Sequence, residues 1–136
     1  MKIEFLGDGA AETPLIRVYG VEAAHVEALE AVLRSLADGH LSIAELADLD
    51  GFRSINATLA LIVGKENLGI RLPADGRSFQ WVATRDAFDD AAELVAPLRE
   101  PPPHGFQWLL GGEGGMAWQL PGEVGLVVSA SARGGW

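Results

Sequence analysis

The chain has 136 residues, with 19 acidic and 10 basic side chains, three histidines, no cysteine and a formal charge of −9 at pH 7. That length suits one domain spanning residues 1–136, and 49% apolar against 21% charged residues argues against a disordered chain. The absence of cysteine excludes disulfides, thiolate catalysis and zinc–thiolate sites and fits a reducing cytoplasm, while the negative field and singly scattered Lys and Arg speak against nucleic acid or an anionic membrane surface as partner.

No apolar run approaches the roughly 20 residues needed to span a bilayer. The uncharged, largely apolar stretch Ser54 to Gly64 is too short, and the opening Met1-Lys-Ile-Glu-Phe-Leu-Gly-Asp8 does not read as a signal peptide. Lys2 to Leu6 reads as a first strand ended by Gly7-Asp8-Gly9, and Leu15 to Tyr19 as a second, closed by Gly20. From Glu22 to Asp38 the spacing changes. Val26, Leu29, Val32, Leu33 and Leu36 recur at intervals of three and four, the mark of a helix with one apolar stripe, and Gly39 is a natural stop. Leu41 to Leu49 fits either a short helical turn or an edge strand.

Arg53 to Val63 alternates, with Ile55, Ala57, Leu59, Leu61 and Val63 on one side, and predicts a single strand with one buried face. Leu68, Ile70 and Leu72 form a returning strand between turns at Gly64–Asn67 and Pro73–Gly76. Ser78 to Ala83 forms a third, which completes an antiparallel meander. Thr84 can cap a second helix over Arg85 to Leu98 with the stripe Phe88, Ala91, Ala92, Val95 and Leu98. Pro101-Pro102-Pro103 forbids its continuation. Phe106 to Leu110, Met116 to Leu120 and Val124 to Ala130 read as three closing strands of the same sheet. The fold expected is therefore α+β: a single antiparallel sheet of about six or seven strands with two amphipathic helices packed on one face. The other face is partly open or covered by a second copy, a possible homodimer.

The densest polar constellation is Asp86, Asp89, Asp90 and Glu93, which share a helix face at spacings of three, four and seven. Carboxylates so placed are weak candidates for a hard divalent cation and for metal-assisted hydrolysis or transfer. The plain alternative is a solvated acidic face, and no metal site or cofactor is assigned. Glu45-Leu-Ala-Asp48-Leu-Asp50-Gly51 lacks the ligand spacing of a calcium loop. His25, His40 and His104 are the candidate bases near neutral pH, but no two share a metal-ligand spacing, and no nucleophile elbow surrounds Ser129 or Ser131. Gly111 to Gly115 has neither the ending of a P-loop nor a following helix and reads as a hairpin tip.

Aromatic residues are the remaining signal. Phe79, Trp81 and Trp108 could wall a small-molecule pocket against the second helix or anchor an interface, and Trp136 calls for a pocket either in its own fold or in a partner. Three readings of function follow. The leading one is a small acidic, non-enzymatic protein-interaction module in the cytoplasm, which holds a basic protein partner through its charge and the anchors Phe79, Trp81, Trp108 and Trp136. In size and charge the chain resembles small acidic proteins that neutralise basic toxins, inhibitor- or immunity-like in bulk properties alone. The alternatives are a small-molecule-binding domain with an aromatic-walled pocket, and the metal-assisted enzyme at the second helix.

Overall fold

The computed structural model describes residues 1–7, 14–100, 104–110 and 124–131. Its elements are β1 (Lys2–Leu6), β2 (Leu15–Tyr19), α1 (Ala23–Asp38), β3 (Ile43–Glu45), β4 (Arg53–Ser54), β5 (Thr58–Val63), β6 (Gly69–Ile70), β7 (Ser78–Ala83), α2 (Arg85–Val95), β8 (Phe106–Leu110) and β9 (Gly125–Ser129). The class is α+β. Among the described residues no helix is long and apolar enough to cross a membrane.

Both helices form where their periodicity places them. α1 buries Val26, Leu29, Glu30, Val32, Leu33 and Leu36 and ends at Gly39, whose φ of +95° is open to glycine at little cost. α2 starts at Thr84, whose side chain accepts the Ala87 N–H, and buries Ala87, Phe88, Ala91, Ala92 and Val95. It tightens into a 3-10 turn over Ala96–Arg99, where Leu98 extends the buried stripe. The ambiguous stretch 41–49 is both things in succession, strand β3 followed by a 3-10 turn over Leu46–Asp48.

The sheet departs from expectation. There are two sheets, a five-stranded one in the order β4-β1-β2-β9-β8 and a four-stranded one in the order β3-β5-β7-β6, and both are mixed rather than antiparallel. β1 pairs parallel with β4, β2 with β9 and β5 with β7. The expected single strand over 53–63 is broken at residues 55–57, where the chain leaves the first sheet for the second. The Ser54 hydroxyl donates to the Ala57 carbonyl, and Asn56 brackets β1 by accepting the Phe5 N–H at 2.8 Å and donating to the Phe5 carbonyl at 3.0 Å. Ile55, expected on the buried side, is accordingly exposed.

The expected meander also fails, because β7 inserts between β5 and β6. The Gly64 N–H donates to the Ala83 carbonyl and the Leu68 N–H to the Val82 carbonyl, which carries the chain over the end of β7 to its far edge. There Gly69 and Ile70 pair antiparallel with Val82 and Trp81.

One cluster of buried side chains draws on the inner faces of both sheets and on both helices. Phe5 of β1 lies against Phe79 of β7 with ring centroids 4.7 Å apart, and an isolated bridge joins Ile70 to Val124. A smaller cluster of Leu15, Trp108 and Val127, with Leu6, lies on the other side of the five-stranded sheet. On that side Arg17 reaches Glu4 at 2.6 Å and stacks 4.0 Å from the Tyr19 ring centroid. The expected strand Met116–Leu120, the glycine stretch 111–115, the proline run 101–103, Trp118 and Trp136 lie outside the described residues.

Candidate functional site

The aromatic residues singled out from sequence are core residues where described. Phe79 and Trp81 alternate inward along β7, each 1% exposed, and Trp81 meets the Phe88 ring of α2 edge-on at 4.9 Å. Trp108, at 5% exposure, belongs to the separate cluster across the five-stranded sheet, so the three rings do not line one cleft. Among the described residues the Trp81 indole N–H and the Ser129 hydroxyl are buried without a hydrogen-bond partner. The interior hollow beside Trp81, lined by Leu29, Leu33, Leu59 and Leu126 among others, amounts to about 10 Å³, room for a water molecule at most.

The histidines are occupied by neighbours in the chain. His25 Nδ1 lies 3.0 Å from the Met1 amine, which also donates to the Gly51 carbonyl at 2.7 Å. His40 Nδ1 lies 2.6 Å from Asp38, whose carboxylate also accepts the His40 backbone N–H and is held below its ordinary range by that bond. Among the described residues no three His, Asp or Glu side chains gather as a group that could hold a metal ion.

The helix layer is where the charge is organised. α1 and α2 lie against each other, and their basic side chains turn inward upon the layer itself. Arg85 donates to the Leu36 and Leu41 carbonyls at 2.8 and 3.2 Å, satisfying one acceptor in the last turn of α1 and one in the segment that follows it. Arg99 bonds Glu30, a buried carboxylate that Arg34 also holds at 3.1 Å. A charged group taken out of water needs such partners. Arg34, whose guanidinium is held above its ordinary value by the Glu30 hydrogen bond, then spans to α2 and approaches Asp89 at 3.4 Å and Glu93 at 3.5 Å.

The four carboxylates expected on one helix face are thus all exposed, but two of them share an arginine. That arginine supplies the positive charge a cation would bring, and Asp86 and Asp90 are exposed to solvent. The sequence reading missed the roles of Glu30, Arg34, Arg85 and Arg99. The i,i+4 spacing of Glu30 and Arg34 was the available signal for the first pair. Comparison of the chain with protein-family models and curated proteins, and of its fold with solved structures, finds no match.

Proposed function

We propose that the chain works as a single-domain, non-enzymatic interaction module in the cytoplasm that receives a basic protein partner on its helix layer. One observation carries the reading: the exposed charges on α2 are all acidic (Asp86, Asp89, Asp90 and Glu93), while the nearby Arg34, Arg85 and Arg99 are engaged within the layer. A surface of this sign steers a cationic partner toward it and repels anionic surfaces, and the net charge of −9 extends the field. The core shared by both sheets and both helices supports the single domain.

The test uses a short lysine–arginine peptide as probe and compares wild-type with Asp86→Asn/Asp90→Asn, which spares the Arg34 pairs. Binding at ~0.02 M salt is expected to fall about three- to tenfold in the double variant and to collapse for both proteins near 0.3 M, as about 0.5 kcal/mol per exposed charge implies. A control double neutralisation at exposed Asp48 and Glu66, outside α2, sets the effect of bulk charge alone. Equal losses in the two doubles would show that the helix layer is no docking site.

A further inference from the structure

Among the described residues, the four-stranded sheet buries one face in the core and leaves the other open. Register identifies the outward residues. Ile43, Ile62, Val82 and Gly69 form one row across the four strands, and Glu45, Ala60 and Gln80 form the next. Ile43 is 60% exposed, a large apolar side chain standing at the β3 edge of this face. At the opposite edge a hollow of about 470 Å³ is lined by Leu68, Gly69, Arg71, Leu72, Gln80 and Val82, of which Leu72 is 50% exposed. The knob at one edge and the hollow at the other occupy the same row.

The charges are divided in the same way. The β3 flank carries Glu45, and the hollow flank carries Arg71. An in-plane twofold axis parallel to the strands sets each flank over the opposite flank of a second copy. An axis across the strands sets like charge over like.

We propose that a second copy of the chain covers this face, the two sheets stacked about a twofold axis parallel to their strands. Ile43 of each copy enters the hollow of the other, Ile62 of each lies against the partner's Val82, and Glu45 of each faces the partner's Arg71. The contact is isologous, and its apolar centre and polar rim match the anatomy of protein interfaces. Burial lifts the Glu45 carboxyl above its ordinary value, and an arginine opposite offsets that cost. Four strands spaced about 4.8 Å apart make a small face, so the dimer belongs to the micromolar rather than the nanomolar class. Both helix layers remain outward, so the inference does not rest on their role as a docking surface.

The test is sedimentation or light scattering of the full chain from ~1 μM to ~1 mM at ~0.15 M salt, beside two single variants and one double. Wild-type is expected to pass from monomer to dimer across that range. Ile43→Arg, at an exposed position where folding is insensitive, is expected to raise the dissociation constant at least about tenfold. Arg71→Glu is expected to do the same, and Glu45→Arg/Arg71→Glu to restore dimerisation by swapping both pairs. Far-UV circular dichroism of each variant checks that it folds. A wild-type chain that stays monomeric, or a dimer indifferent to Ile43→Arg, would overturn the proposal. Loss on Arg71→Glu without restoration in a folded double variant would overturn the twofold register.

Discussion

Asp75 shows how one side chain can set a local structure. It sits in the turn that delivers the chain into β7, where Gly76 takes a φ of +68°, and its carboxylate accepts the backbone N–H groups of Arg77 at 2.8 Å and Ser78 at 2.9 Å. Hydrogen bonds to the charged form, chiefly from Ser78, hold this carboxyl down to about 2 from an ordinary 3.8. A group whose folded value is depressed lends stability that is complete above the ordinary value and is lost as pH falls through the folded one. Asp75→Ala is therefore expected to melt below wild-type at pH 7, with the gap narrowing below pH 3.8 and closing near pH 2. Paired thermal melts across that range check it. A gap that stays constant down to pH 2 would assign the loss to the turn geometry instead of the carboxylate.

At the scale of elements, α2 offers the sharpest case, because its start depends on one hydroxyl. Thr84 Oγ1 accepts the Ala87 N–H at 3.2 Å, satisfying one of the donors that a helix leaves without a partner in its first turn. Thr84→Ala is expected to cost about 1 kcal/mol, read as a lower urea midpoint with unchanged slope, and Thr84→Ser to recover most of it. That cap, both apolar stripes and the stop at Gly39 were legible in the sequence, since each is a property of residues within a few positions of one another. Inward alternation along β7 was equally plain, and it puts Phe79 and Trp81 in the core. What the spacing did not carry was pairing. Nothing local to Leu68–Leu72 says that β7 will insert beside β5, because that choice is made by the Gly64 and Leu68 N–H groups reaching carbonyls about 20 and 14 positions away. The acid face of α2 was legible as a face, but Arg34 crossing from α1 to Asp89 and Glu93 was not, because it depends on how the helices lie together.

For the molecule as a whole, the break at residues 55–57 matters more than any single element. A chain that alternates from Arg53 to Val63 could have run as one long strand, and instead it serves two sheets whose inner faces then close over one core with both helices. Asn56 stands at that crossing with both polar ends of its amide bonded to Phe5, whose ring touches Phe79 in the second sheet. The three residues link β1, β7 and the segment that connects the sheets. Because buried side chains from both sheets form one cluster, the sheets are expected to unfold together, and Asn56→Ala to shift that single transition without splitting it. The two bonds are exposed to water, so their loss is expected to cost about 1 kcal/mol. Urea titrations followed by tryptophan emission, to which Trp81 in the main core and Trp108 across the first sheet contribute beside the chain's two other tryptophans, and by far-UV circular dichroism should give coincident curves for both proteins. Separated midpoints in wild-type would mean that the two sheets are independent units. Separation in the variant alone would mean that Asn56 is what couples them.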